Sequence, residues 1–204
     1  MFFDTHAHYD DESFDEDREL LLGNMPKRGV GLILNPGCSE KTSKMAVSFA
    51  EKYDYVYAAV GFHPDATLEF DDSSCDMLRE LAKHEKVKAI GEIGLDYYYD
   101  DCAPRDKQRV VLEKQMALAD ELKLPVIIHD RDAHADCMAI VRNFPNLRGV
   151  FHCYSGSAEM AAELIKLGWY ISFTGAITFK NNCFWWLRTR GYNRFDFSVV
   201  MNSG

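Results

Sequence analysis

No stretch of this 204-residue sequence approaches the roughly 18 consecutive apolar residues that a bilayer span requires. The N-terminus has neither the basic start nor the long apolar core of a secretory signal, and an acidic residue arrives at Asp4. The six cysteines are scattered, with no C-x-x-C pair among them, which argues against a zinc ribbon and against a disulfide framework. Reduced thiols in a cytoplasmic protein without membrane attachment are the expectation. Positive charge is short as well: 23 Lys and Arg stand against 32 Asp and Glu, a formal net charge of −9. A protein that grips long nucleic acid by its phosphates carries a basic face. If the protein touches nucleic acid at all, contact should be local, at a strand end, with bound cations supplying the positive charge.

What remains is an ordinary soluble composition without a break that would divide it, and a length suited to one sizeable domain. Apolar strand-like runs recur along it: Val30–Leu34, Tyr55–Val60, Val87–Ile90, Leu124–Ile128, Gly149–Phe151 and Trp169–Phe173. Between them lie segments with helical spacing. Ser39 is placed to cap a helix running to about Lys52, and a helix follows Pro104, with Val111, Gln115, Leu118 and Leu122 on one side. The acidic stretch Asp10–Glu19 reads as a loop entering a helix, its charges on a solvated face. Alternating strands and helices, with strands apolar on both faces, predict a parallel α/β sheet.

The chemistry-bearing residues fall at the ends of these strands. His6 and His8 follow the first apolar run, and successive side chains of an extended segment alternate, so the two share a face. Alone, such a pair fits a metal site and solvated side chains equally. His63, Glu92, His129 and His152 then close four further strands, which places five of the seven histidines at equivalent positions. In a parallel barrel the C-terminal strand ends form one rim where catalytic groups collect. Imidazoles with one carboxylate suit zinc, manganese, cobalt or nickel, and a glutamate between two groups can bridge two ions. His84 and His134 fall on helices and read as surface residues.

Five segments in series carry a family resemblance: Asp4–His8, Gly61–Pro64, Gly91–Asp96, Pro125–His129 and His152–Gly156. On these the chain resembles the TatD family of metal-dependent nucleases, within the amidohydrolase-like superfamily of TIM-type (β/α)8 barrels, over residues 1 to about 180. The resemblance implies two divalent ions, zinc, manganese or magnesium, held by His6 and His8 on one side and by His129 and His152 on the other, with Glu92 bridging. It places His63 beside the scissile phosphate and Arg131 as a phosphate contact, with Asp96 and Tyr97 lining the pocket. It implies hydrolysis of DNA, and of RNA, from the 3′ end or on single strands, by a hydroxide activated between two metal ions, with no obligate protein partner. An amidohydrolase acting on an amide or lactone and an inactive metal-binding fragment are the alternatives.

The C-terminus departs from the family pattern. An eighth strand ending in a Glu-Thr-Asp-x-Pro-like segment is expected, and no such segment occurs. After about residue 180 the text changes character, and residues 181–204 read as an atypical tail from a truncated or frameshifted reading frame. Phe195–Val200 passes for a short strand, with Asp196 its only carboxylate. A barrel of this kind takes about 250 residues, so the eighth β/α unit is expected to be missing or replaced. An open edge between the first and seventh strands would follow, with unpaired backbone.

Overall fold

The computed structural model describes residues 1–174 and 195–197. Eight strands form one sheet, all parallel and ordered in space as they are in sequence. They are β1 (Phe2–Asp4), β2 (Val30–Pro36), β3 (Val56–Val60), β4 (Val87–Asp96), β5 (Val126–Arg131), β6 (Gly149–Phe151), β7 (Tyr170–Phe173) and β8 (Phe195–Phe197). The helices between them are α1 (Arg18–Asn24), α2 (Glu40–Lys52), α3 (Ser74–Leu81), α4 (Arg105–Leu122), α5 (His134–Arg142) and α6 (Ala158–Lys166). This is the α/β, TIM-type winding that the strand-helix alternation predicts. None of the described helices is long and apolar enough to cross a membrane.

Local chemistry explains most element boundaries. Ser39 caps α2: its hydroxyl accepts the Thr42 amide while the Thr42 hydroxyl accepts from the Ser39 amide, a reciprocal capping box. Gly29 ends the turn after α1 at φ 89°, a left-handed conformation that favours glycine, and β2 starts at the next residue. Ser157 caps α6 through the Met160 amide. The main core lies between sheet and helices, with Trp169, Phe151, Phe173 and Met116 fully buried.

β4 is longer than its apolar run suggests, because it carries an irregularity in pairing. Ile90 pairs with Val126 and Ile93 with Ile128, so two residues of β4 oppose one of β5. The two are Gly91 and Glu92, joined by a cis peptide bond. Such a bulge bends the strand and re-aims a side chain. Pairing resumes at Ile93 and continues at Gly94, where a Cβ would sit 1.9 Å from the His129 carbonyl oxygen; no side chain fits there.

At the eighth position stands the segment that the sequence marks only as a passable short strand: β8 pairs with β7 through Ile171, Ser172 and Phe173. It covers the outer edge of β7, so among the described residues the sheet ends at β1 and β8 rather than at the first and seventh strands. β1 has β2 as its one strand neighbour among the described residues, and Phe2 and Phe3 are 68% and 49% exposed. Beside them opens an apolar cavity of about 350 Å³ lined by Phe2, Phe3, Tyr9, Met25 and Val30. The expected boundary near residue 180, and most of the tail 181–204, lie outside the described residues.

Candidate metal centre

β1 ends at Asp4, so His6 and His8 sit in the segment after it rather than in the strand itself. They share a side nonetheless, because the Ala7 amide between them donates to the Leu34 carbonyl of β2, at 3.1 Å, and continues the strand direction. Their Nε2 atoms approach to 2.9 Å. Glu92, 4% exposed, projects from the β4 bulge into the same space. Its Oε2 lies 3.2 Å from His6 Nε2 and 3.4 Å from His8 Nε2. Its Oε1 faces the other way, 3.3 Å from Nδ1 of His129, which follows the register of β5.

The loop between β2 and α2 fixes these positions from below. The Glu92 amide donates to the Gly37 carbonyl at 2.8 Å, and the His63 amide donates to the Cys38 carbonyl at 2.9 Å. His63 reaches the His129 side, its ring centroid 4.3 Å from that of His129, while its Nδ1 meets an Asp65 carboxylate oxygen at 2.8 Å. His152 arrives from the end of β6 and stacks on His6, with centroids 3.4 Å apart and planes at 8°.

The sequence-derived histidines and Glu92 thus converge, but His63 and His152 are grouped differently from the expectation. His6, His8 and Glu92 form one set of converging ligand atoms, and His63, Glu92 and His129 form a second, each set within 4.8 Å. His152, paired with His129 in the expectation, lies against His6 instead. Arg131 stands two residues beyond His129 but packs its guanidinium over Tyr98 and Tyr99.

The first set fits a divalent ion on its own geometry. Three ligand atoms about 2.1 Å from one ion, at tetrahedral to octahedral angles, lie about 3.0–3.4 Å from one another. The three distances here are 2.9, 3.2 and 3.4 Å. Two imidazole nitrogens and a carboxylate oxygen also match the donor types of such ions.

Protonation in the metal-free chain follows from burial and pairing. Burial penalises the Glu92 carboxylate, yet the imidazoles of His6, His129 and His8 hold its carboxyl well below the usual range. Burial likewise lowers His8, but Asp10, Cys38 and Glu92 outweigh it and raise the imidazole well above its ordinary value. The same competition, won by Asp96 and Glu92, lifts His129 to about 9. Burial dominates for the other two: His6 is lowered, and His152, beside His6, falls to about 3. These directions favour a charged Glu92 carboxylate beside charged His8 and His129 imidazoles in the metal-free chain, positive charge that divalent ions would replace.

Three supporting residues, Asp10, Asn35 and Cys38, lie outside the sequence-derived site, and Asp96 has a more specific contact than expected. Asp10 is buried rather than on a solvated face: Asn35 Nδ2 donates to its Oδ1 at 2.6 Å, and that oxygen lies 3.8 Å from His8 Nδ1. Asn35 Oδ1 in turn accepts the Tyr9 amide at 2.8 Å. Cys38 Sγ approaches His8 Nδ1 at 3.9 Å. Asp96, expected only to line the pocket, meets His129 Nε2 at 3.0 Å. The one sequence signal for this shell is Asn35 itself, an amide inside the apolar run of β2. Of the two helix-assigned histidines, His134 is tied to the buried Asp130 at 2.8 Å, and His84 falls in the turn after α3. The described cysteines are all free, as expected.

The chain is similar to known metal-dependent hydrolases. The chain is 42% identical over 183 residues to the uncharacterized metal-dependent hydrolase YabD of Bacillus subtilis, covering 89% of this chain and 71% of that protein. It is 35% identical over 175 residues to the 3′-5′ ssDNA/RNA exonuclease TatD of Cronobacter sakazakii, covering 85% of this chain and 66% of that one. The crystal structure of YjjV, a TatD homologue from Escherichia coli, superposes with a TM-score of 0.79 at 35% identity, over 87% of this chain and 70% of its own. The model of the TatD related DNase family matches residues 3–184. The chain belongs to the TatD related DNase family.

Proposed function

We propose that this protein is a metal-dependent hydrolase of phosphodiester bonds, acting in the cytoplasm on single-stranded DNA, and on RNA, from the 3′ end. The observation that carries the reading is the orientation of Glu92, with one carboxylate oxygen on His6 and His8 and the other on His129. A carboxylate presented in this way serves two ions at once. In this reading His6, His8 and Glu92 hold one ion. Glu92 and His129 would hold the second, and the family resemblance assigns His152 to it. Two bound divalent ions would supply positive charge to a phosphoryl oxygen and acidity to a water, whose metal we take as zinc, manganese or magnesium.

The chain's own residues then account for orientation and proton handling. Asp96 on His129 Nε2 leaves the Nδ1 side of that ring facing Glu92. Asp65 on His63 Nδ1 leaves Nε2 of that ring available, so His63 can hydrogen-bond a phosphate oxygen or deliver a proton to the leaving oxygen. The new bond is from water oxygen to phosphorus, the bond broken is from phosphorus to the leaving oxygen, and the proton ends on that oxygen. Arg131, two residues beyond His129, is the phosphate contact in this reading. The names of the exonuclease relatives support a 3′ end as substrate, and the acidic net charge supports local contact with it.

The test is nucleotide release from single-stranded DNA with manganese or magnesium, run beside cyclic amides and lactones, for wild type and His129→Ala. Cleavage of DNA that depends on His129 is expected. Metal bound by elemental analysis without His129-dependent DNA cleavage would overturn the reading, and turnover of cyclic amides alone would replace it with an amidohydrolase.

A further inference from the structure

Beyond Asp96 the rim carries an aromatic cluster that the reaction as described does not use. Three tyrosines follow in a row, and they are treated differently by the fold. Tyr97 is engaged: its hydroxyl donates to Asp136 at 2.6 Å, and the Arg105 guanidinium lies 4.4 Å from its ring centroid. Tyr98 and Tyr99 face solvent, 56% and 50% exposed, with their rings edge to face at 4.9 Å. The Arg131 guanidinium lies 4.1 Å from the Tyr98 centroid and 4.8 Å from that of Tyr99, and its Nη1 donates to the Tyr99 hydroxyl at 3.2 Å. Scattered exposed aromatics are ordinary, but two adjacent rings organised around one guanidinium form a surface.

This surface is tied to the centre. The amides of Tyr98 and Tyr99 donate to Asp96 Oδ1 at 2.9 and 3.3 Å, and the other oxygen of the same carboxylate meets His129. Arg131 pairs with Asp96 in the β4–β5 register and is two residues from His129. A ligand on the rings would therefore lie next to the bond being cleaved.

We propose that Tyr98, Tyr99 and Arg131 form a stacking platform for an unpaired base adjoining the scissile phosphate of single-stranded nucleic acid. The proposal rests on the phosphodiesterase reading of the neighbouring centre. Every base has a π-face, so stacking on tyrosine and guanidinium is tolerant of sequence but needs a base free of its own neighbours. That selects single strands without a basic groove, which a chain of net charge −9 does not offer on average. The acidic pair that follows, Asp100 and Asp101, disfavours a phosphate track across the loop tip and leaves Arg131 as the cationic side of the platform.

The platform is tested by binding of a phosphorothioate-linked oligothymidylate, which resists cleavage, against the same oligomer made abasic at its 3′-terminal positions. Wild type is expected to bind the base-bearing oligomer about tenfold more tightly, and Tyr98→Ala/Tyr99→Ala to lose that difference. Tyr98→Phe, which keeps the ring, should retain it. An equal preference in the alanine variant would overturn the platform, and so would a wild type that shows no preference, a result that needs no variant to fold. DNA cleavage is assayed separately. Cleavage with a preference that does not map to the tyrosines removes the platform alone. A tyrosine-dependent preference without cleavage removes the nuclease reading and leaves the platform.

Discussion

Asp96 Oδ2 lies 3.0 Å from His129 Nε2, on the opposite side of the ring from Glu92. This carboxylate fixes the ring's orientation and makes its other nitrogen a better ligand. Asp96→Asn keeps a carbonyl oxygen for the Tyr98 and Tyr99 amides but removes the charge. Affinity for a metal ion that His129 ligates should fall about 10–100-fold, read by competition with a chromogenic chelator. An unchanged affinity would show that Asp96 serves the loop alone.

Metal uptake should release protons. His129, raised to about 9 by Asp96 and Glu92 against the effect of burial, and His8, raised well above its ordinary value, are protonated near neutrality in the metal-free chain. Both must lose that proton to bind an ion. Calorimetric titration of stripped protein with zinc at about pH 7, in buffers of different ionisation enthalpy, should show an apparent heat that tracks the buffer. Equal heats in all buffers would contradict the protonation pattern.

A second pH effect lies away from the centre. Asp130 holds the His134 imidazole above its ordinary value of 6.5, through a 2.8 Å contact that clamps the start of α5 to β5. The folded state therefore binds this proton more tightly than the unfolded state does. Its stabilisation is fully present below 6.5 and is lost as pH rises through the raised value. The melting temperature of wild type relative to His134→Gln should be highest near pH 6 and converge by about pH 9. A difference that grows with pH would carry the wrong sign.

Asn35 makes its stability contribution by satisfying two buried groups, the Tyr9 amide and the Asp10 carboxylate. Asn35→Ala strands both and should cost roughly 3 kcal/mol in chemical denaturation. It should also weaken zinc binding through His8, since Asp10 is then no longer held beside that ring. Loss of stability at full zinc affinity would separate the network from the centre.

What could be read from the sequence was local or positional. The Ser39 cap, the start of α4 after Pro104 and the histidines at strand ends each depend on neighbours in the chain or on a repeat of strand and helix. The reading went astray where a partner is remote. Asp10 looked like one of several solvated acids because Asn35 is 25 residues away. Asp96 looked like a pocket liner because its contact with His129 spans 33 residues. The placing of His152 against His6 depends on how tightly β1 and β6 converge at the rim, which no spacing encodes. β8 was marginal because three residues carry little pattern.

The two backbone carbonyls of Gly37 and Cys38 receive the amides of Glu92 and His63, and Gly37 has no room for a side chain, since a Cβ would come within 2.5 Å of Ser43. For protein engineering this makes the turn after β2 a gauge block. Its length sets the height of the Glu92 carboxylate and of the His63 imidazole together. A one-residue insertion there should misplace both and lower zinc affinity, while a similar insertion at the exposed Asp100–Asp101 tip should leave that affinity as it is. Loop-grafting in this chain has latitude on one side of the rim and none on the other.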